Sequence, residues 1–180
     1  DTMLKDMPYE HLNEDAAQRG LPERNLPGMY AVFLTGMHLD QDLLTGGFVM
    51  SNPISVDTKP EDYFHALTLN IGMSISMCIE KMKTLQPLEH DYLIGCGGGF
   101  SSPVVGQTVA DLTGLKVRIF DNWREATVYG GYVLCCRATG KPVPARRQIA
   151  EIEPKPSQAL ERYYKNWKEM REHFKEFKLK

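Results

Sequence analysis

The sequence has 180 residues, of which 42 % are hydrophobic and 24 % are charged, and these are ordinary values for one globular domain. Its 21 basic and 23 acidic side chains give a formal net charge of −2, which argues against a general nucleic-acid or membrane-surface role. No apolar run approaches the ~18 residues of a membrane span, and the N-terminus lacks a secretory signal pattern. Because the first residue is not Met, we expect a piece cut from a longer protein.

The cysteines and histidines predict no metal site. None of the four cysteines belongs to a CxxC pair, and Cys135 and Cys136 are adjacent, which is poor spacing for one metal ion. The five histidines form neither an HExxH nor an HxH pattern. We therefore expect reduced thiols that pack as small hydrophobic residues, and a cytoplasmic location.

The first part of the chain predicts one short helix and two short strands. Gly20 ends the helix, and apolar runs indicate the strands. A loop from Gly36 to Gly47 separates the two strands. The expected elements are, in chain order, residues 11–20, 30–34 and 47–50.

A long helix is predicted over residues 58–84. Thr58 is the expected N-cap because it precedes Glu61 by three residues, with a proline in the first turn. Apolar residues at a 3.6-residue period form one stripe that should face the core, and His65 beside it should be partly exposed. The stripe consists of Tyr63, Phe64, Leu67, Ile71, Ile75, Cys78, Ile79 and Met82.

Two strand–turn–helix units follow, and their alternation predicts an α/β domain with right-handed crossovers. Ser102 and Asn122 are the expected N-caps of the two helices, and Gly114 should end the first helix in the left-handed conformation. The expected elements are a strand at 91–94, a helix at 103–113, a strand at 115–120 and a helix at 122–138.

The C-terminal part differs from the rest in composition. Residues 151–156 predict an extended linker, and Ser157 caps a predicted helix with one broad apolar face. We expect this face to dock onto the domain, and the alternative is a helix that binds a partner. The face consists of Leu160, Tyr163, Tyr164, Trp167, Met170, Phe174 and Phe177.

The segment with the clearest chemistry is LIGCGGGFSSP, residues 93–103. A predicted strand ends in four glycines within five residues, and a helix begins just beyond them. Glycines let a ligand approach the backbone closely, and a helix N-terminus presents free N–H groups to an anion. The loop therefore suits a phosphate or the ribose–adenine part of a nucleotide. The simpler interpretation is a tight turn that serves packing only.

A Rossmann dinucleotide site is one nucleotide hypothesis. Asp121 falls at the end of the second strand, where an acid that binds a ribose would lie. However, Phe100 stands where the fingerprint needs its third glycine. This hypothesis predicts an NAD-binding oxidoreductase domain.

A second hypothesis comes from the order and spacing of several short motifs. Together they resemble the C-terminal domain of the FGGY carbohydrate kinases, over roughly residues 28–178. The matching residues are Gly97-Gly98-Gly99, Ser101-Ser102, Gln107, Ala110-Asp111, Gly114, Val117, Glu125-Ala126-Thr127 and Gly130.

The resemblance implies an actin-like (ribonuclease H-like) α/β fold and transfer of a phosphoryl group from MgATP to a sugar or polyol hydroxyl. It implies an ATP-binding loop in which a small polar residue, here Ser102, lies near adenine. The implied ATP-binding residues are Gly97, Gly98, Gly99, Ser101 and Ser102. Gln107 and the Glu125-Ala126-Thr127 segment are implied to support the fold. The chain then divides into a partial nucleotide-binding domain, 1–150, and a linker with a docked helix, 151–180.

The resemblance also implies what this chain lacks. In the family, the sugar-binding domain, the catalytic aspartate and the opening strands of the C-terminal domain precede the matched region. Asp91, Asp111 and Asp121 fall on support positions, so the chain contains no predicted catalytic residue. Mg²⁺ would be held mainly by the nucleotide phosphates and by the missing domain.

We therefore expect a domain that is incomplete at its N-terminal end, with at most weak nucleotide binding. The family often has Glu-Arg where Met37-His38 stand here, and small residues where Tyr132 stands. An exposed sheet edge should make the piece dimerise, aggregate or pair with a separate N-terminal chain. A non-catalytic interaction module is the third hypothesis.

Overall fold

The structure, a computed structural model, describes Glu14 and residues 28–33, 46–50 and 58–176. The predicted helix over residues 11–20 falls outside this part apart from Glu14, and so do Met37-His38 and Phe177. None of the described helices is both long enough and apolar enough to span a membrane.

Five strands and four helices make up the described part, with one short 3-10 turn between them. Within the described residues, the predicted order of strands and helices is confirmed from Met29 to residue 138, and β5 is a strand that was not predicted. The elements are β1 (Met29–Val32), β2 (Gly47–Met50), α1 (Pro60–Leu85), β3 (Tyr92–Gly95), the 3-10 turn Gly98–Ser101, α2 (Pro103–Thr113), β4 (Lys116–Phe120), α3 (Ala126–Ala138), β5 (Gln148–Ile152) and α4 (Gln158–Glu176).

The described strands form two small sheets. β1 pairs antiparallel with β2, so that Tyr30 lies opposite Val49. The second sheet has the order β3-β4-β5, with β3 parallel to β4 and β5 antiparallel to β4. α2 connects the two parallel strands, as an α/β unit requires. Within the described part, the outer edge of β3 has no strand partner.

The predicted linker over 151–156 begins inside β5. Glu151 lies opposite Arg118 of β4, and the two side chains form an ion pair with an Nε–Oε2 distance of 2.6 Å. Lys116 is 2.7 Å from Glu153 and holds the residues just after the strand. β5 is short and mostly exposed, so it lacks the apolar alternation by which strands are recognised in a sequence.

The N-cap of helix α1 lies one residue later than predicted. Lys59 is its N-cap residue, and the Asp62 carboxylate accepts a hydrogen bond of 2.8 Å from the Lys59 amide. The predicted N-cap, Thr58, lies outside the helix. The spacing of three residues between cap and acid is the expected one, but the pair is Lys59–Asp62 rather than Thr58–Glu61.

The most deeply buried face of α1 is not the predicted apolar stripe. Of that stripe only Ile79 is among the buried residues, and Met82 is exposed. His65, predicted to be partly exposed, is 2 % exposed. The buried face carries many small and polar residues, and at Gly72 another helix packs closely against it. Its members are His65, Ala66, Thr68, Leu69, Asn70, Gly72, Met73, Ser74, Ser76 and Ile79.

That neighbour is α2, which crosses α1 at Gly72. A Cβ atom added at Gly72 would lie 2.8 Å from Cβ and Cγ2 of Thr108 on α2, well inside van der Waals contact. One core cluster, which includes Ile79, Val109 and Val117, joins the two helices to β4. α1 therefore fixes α2 relative to the sheet.

Helix α4 packs its aromatic face on β1, α1 and α2. Trp167 is fully buried, and its Nε1 donates to the carbonyl of Ala31 at 3.0 Å. Tyr163 and Tyr164 are buried too, in a cluster with Val32 and Leu69. Among the described residues of the predicted face, Leu160, Tyr163, Tyr164 and Trp167 are buried and Met170 and Phe174 are partly buried, so this part of the face packs on the domain.

We expect Gly72→Ala to destabilise the protein. The added methyl gains up to ~1 kcal/mol of helix propensity but overlaps Thr108, and such overpacking costs about 1–3 kcal/mol. The matched control is Gly131→Ala in α3, where an added Cβ meets no atom within 4 Å, so that propensity alone should stabilise by about 0.5–1 kcal/mol. Urea unfolding of both variants measures the difference. Equal effects of the two substitutions would contradict the close approach of α1 and α2.

Candidate functional site

The glycine loop lies where two parallel strands end side by side. It follows β3, and the loop of residues 121–125 follows β4. The Gly97 amide donates a hydrogen bond of 2.8 Å to the carbonyl of Trp123, which ties the two loops together. Ligands of open α/β sheets bind at the carboxyl ends of the strands, so this edge is the candidate site.

The four positions of the loop that carry glycine differ in whether the fold requires a glycine there. A Cβ at Gly95 would lie 2.5–2.9 Å from the side chains of Ile119 and Phe100, so packing requires this glycine. Gly97 has a φ of +88°, which side-chain-bearing residues rarely adopt. A Cβ at Gly98 or Gly99 would meet no atom within 4 Å. Neither packing nor a positive φ explains these two, and the space over them is open to a ligand.

The two serines of the loop have different roles. Ser101 Oγ donates to the Gly98 carbonyl at 2.6 Å and so closes the 3-10 turn. Ser102 is the N-cap residue of α2, as predicted, although its side chain makes no capping hydrogen bond. Ser102 is 2 % exposed, and its Oγ has no hydrogen-bond partner among the described residues. A buried hydroxyl in this state is stabilised by any acceptor or donor that reaches it.

Helix α2 is anchored by a polar cluster on its far side. Gln107 Nε2 donates to Asp111 Oδ1 at 2.7 Å and to the Glu153 carbonyl at 2.8 Å. The Lys155 amide donates to the same Asp111 oxygen at 2.6 Å. These contacts fit the predicted supporting role of Gln107. Burial raises the pKa of the Asp111 carboxyl, although the hydrogen bonds from Gln107 and Lys155 act in the opposite direction.

Asp121, the acid of the Rossmann hypothesis, holds the chain that leads into β5. Its Oδ1 accepts a hydrogen bond of 3.2 Å from the Arg147 amide, and its own amide donates to the Arg147 carbonyl at 2.9 Å. The Asp121 carbonyl accepts from Arg146 Nη2 at 3.2 Å. Asp121 thus has a structural role in the turn after β4.

The start of α3 differs from the prediction. Asn122 has a φ of +59° and belongs to the turn, and the helix begins at Ala126 after Glu125. The predicted N-cap at Asn122 is therefore wrong. Tyr132, expected to add bulk where small residues pack, is 49 % exposed.

Trp123 and Arg124 are neighbours of the loop that the sequence did not single out. The Arg124 guanidinium lies 5.0 Å from the centroid of the Trp123 ring, and Arg124 is exposed. One sequence signal could have identified them. They are an aromatic–basic pair that follows β4, and β4 runs parallel to β3, the strand before the glycine loop. This arrangement brings one flat ring and one cation to the same sheet edge as Gly98 and Gly99.

Comparisons with known proteins agree on one family. Residues 26–139 match the model of the FGGY family of carbohydrate kinases, C-terminal domain. The "Putative sugar kinase YoaC" of Bacillus subtilis (strain 168) is 31 % identical over 132 residues, which cover 73 % of this chain and 27 % of that protein. The matched region contains both the glycine loop and Asp121, so it assigns them to an FGGY-type domain and not to a dinucleotide-binding one.

Solved structures show the same fold. Gluconate kinase from Lactobacillus acidophilus superposes with a TM-score of 0.68 at 13 % identity, over 97 % of this chain and 36 % of that one. Plasmodium falciparum glycerol kinase with ADP gives 0.65 at 14 %, over 96 % and 35 %. The actin-like α/β fold is thereby confirmed. The chain spans about a third of these structures and 27 % of YoaC.

We expect Asp111→Asn to change how stability depends on pH. The folded pKa of Asp111 lies above its ordinary 3.8, so its contribution to stability is full below that value and is lost as the pH rises through the folded pKa. Asparagine keeps the acceptor for Gln107 and Lys155 without the charge. The stability of the variant relative to wild type should therefore rise as the pH increases from about 4 through the folded pKa of Asp111.

Urea unfolding at a series of pH values measures this difference. Asp111→Ala is the control, because it removes the acceptor as well as the charge and should destabilise at every pH. A pH-independent difference between Asp111→Asn and wild type would contradict the role of burial.

Proposed function

We propose, because the chain belongs to the FGGY family of carbohydrate kinases, that it is the ATP-binding part of an enzyme that phosphorylates a sugar or polyol hydroxyl. The observation that carries the proposal is the open space over Gly98 and Gly99 beside the N-terminus of α2. A glycine that neither close packing nor a positive φ angle requires suits a position that a ligand covers closely. An eleven-residue helix begins just beyond it and directs its first N–H groups towards this edge of the sheet.

Each loop residue has a proposed part in holding the nucleotide. Gly97 sets the direction of the loop, and Gly98 and Gly99 let the adenosine part lie against the backbone. Ser101 keeps the turn closed through its bond to the Gly98 carbonyl. The buried Ser102 hydroxyl has no described partner, and its proposed place is near the adenine end of the nucleotide. ATP supplies the phosphoryl group that the enzyme transfers.

The rest of the active site is proposed to lie in an N-terminal kinase domain outside this chain. Asp111 and Asp121 both accept hydrogen bonds from backbone amides, which supports their structural roles and leaves the catalytic base to that domain. That domain and the nucleotide phosphates would hold Mg²⁺. The outer edge of β3, which has no described strand partner, is the proposed place where a strand of the remaining enzyme pairs. We propose a cytoplasmic location for the whole enzyme.

We expect Gly98→Val to weaken binding of MgATP by tenfold or more, because the side chain fills the space over the loop. Isothermal titration calorimetry with MgATP measures the affinity, and NAD is the control ligand. Gly131→Val is the control variant, since that glycine is equally open but lies in α3, away from the loop. Unchanged MgATP affinity in Gly98→Val, or heat with NAD in the wild type, would contradict the proposed site.

We also expect this chain alone to show no sugar phosphorylation. Phosphoryl transfer depends on positioning and charge stabilisation, and one side of a cleft provides neither fully. A coupled assay with MgATP and a panel of sugars and polyols measures turnover. Turnover by the isolated chain, lost in Asp111→Asn or Asp121→Asn, would show that the catalytic base lies within it.

A further inference from the structure

Trp123 and Arg124 form a flat, cationic surface beside the glycine loop. Trp123 is half-buried, and its ring packs against the core cluster around Val117, as does Phe100 of the glycine loop. The Arg124 guanidinium lies over this ring, 5.0 Å from the centroid, which is within the range of a cation–π contact. Arg124 is exposed, so its guanidinium plane remains accessible to a ligand.

A backbone hydrogen bond fixes the position of this pair relative to the loop. The Trp123 carbonyl accepts a bond of 2.8 Å from the amide of Gly97, which directly precedes the open positions Gly98 and Gly99. Arg124 follows Trp123 in the chain, so its side chain starts from the border of the space over these two glycines. No rearrangement of the backbone is needed to bring a cation to this space.

The chemistry of the pair suits the base of a nucleotide better than its phosphates. A guanidinium is planar, and bases stack on arginine planes as they do on aromatic rings. The contact with Trp123 already restricts the Arg124 side chain, so ordering it against a ligand costs less rotamer freedom. Glu125 follows directly and is exposed as well, so residues 124 and 125 together add no net charge that would attract a phosphate.

We propose that Arg124, held against Trp123, is the residue on which the base of the bound nucleotide stacks. Trp123 is a positioning residue, because it acts through Arg124 and not on the ligand itself. The inference rests on the proposed nucleotide site and specifies how that site holds the base. Gly98 and Gly99 let the adenosine part approach the backbone, and the guanidinium plane covers one face of the adenine ring.

The test separates stacking on the base from attraction of the phosphates. Arg124→Ala removes both the plane and the charge, and Arg124→Lys keeps the charge without the plane. Arg137→Ala is the matched control, because Arg137 is also exposed but lies in the last turn of α3, a helix about 20 Å long. Ligand-observed NMR titrations with MgATP, adenosine and inorganic tripolyphosphate give three dissociation constants for each form.

We expect Arg124→Ala to weaken binding of MgATP and of adenosine by the same factor, about fivefold or more, and to leave tripolyphosphate binding unchanged. Arg124→Lys should show the same losses, and Arg137→Ala should match the wild type. Recovery of MgATP affinity in Arg124→Lys, or weaker tripolyphosphate binding in Arg124→Ala, would mean that Arg124 attracts phosphates. Either result would overturn the inference.

Trp123→Leu tests the positioning role, because it keeps an apolar side chain on the core cluster and removes the ring. It should weaken adenosine binding as much as Arg124→Ala does, and the double variant should lose no more, since both changes remove one contact. Losses that add would contradict the positioning role. In the wild type, adenosine should shift the indole N–H signal of Trp123 and not that of Trp167, which is fully buried.

Two further results distinguish this inference from the proposed function. If the wild type binds MgATP, Gly98→Val loses that binding and Arg124→Ala keeps it, the stacking role is overturned and the nucleotide site stands. If the wild type binds neither MgATP nor adenosine, the proposed nucleotide site is overturned, and the inference that rests on it is overturned too.

Discussion

The close approach of α1 and α2 at Gly72 is the contact on which the rest of the described structure depends. Only a residue without a Cβ lets Thr108 approach to this distance. α2 carries the glycine loop at its N-terminal end, so the position of α1 determines where that loop lies. α1 also carries Asn70. Its Oδ1 accepts hydrogen bonds from Trp167 Nε1 of α4 and from the amide of Phe33, which follows β1. One helix therefore orients both the candidate site and the C-terminal helix.

The glycine loop shows how a functional position differs from a structural one. Gly95 and Gly97 are explained by the fold, the first by packing and the second by its backbone angle. Neither packing nor a backbone angle explains Gly98 and Gly99. The same contrast holds for Ser101, which is bonded within the turn, and Ser102, whose buried hydroxyl has no described partner. The proposed ATP-binding role would account for the members of the loop that the fold leaves unexplained.

Acidic residues and strand edges have structural uses that the contacts make plain. Asp111 and Asp121 accept hydrogen bonds from backbone amides and hold the segments just after and just before β5. Side chains of α4 donate to the carbonyls of Met29, Ala31 and Phe33, whereas the β3 edge has no strand beside it in the described part. The β3 edge is therefore where we propose that the remaining enzyme pairs.

The sequence by itself determined the order of strands β1 to β4, the four helices and the glycine loop, because these depend on local periodicity and on turn residues. Its motif spacing also identified the family. Tertiary structure decided the burial of His65, the strand β5 and the unused capping hydroxyl of Ser102. The first two depend on elements distant in sequence, such as β4, whose Arg118 lies opposite Glu151 of β5, and a local pattern carries no information about such partners. The third depends on where the folded backbone leaves the hydroxyl, which the residue type alone does not determine. The hydrogen bonds from α4 to the β1 carbonyls were hidden for the same reason as β5, since they join residues 29–33 to residues 163–171.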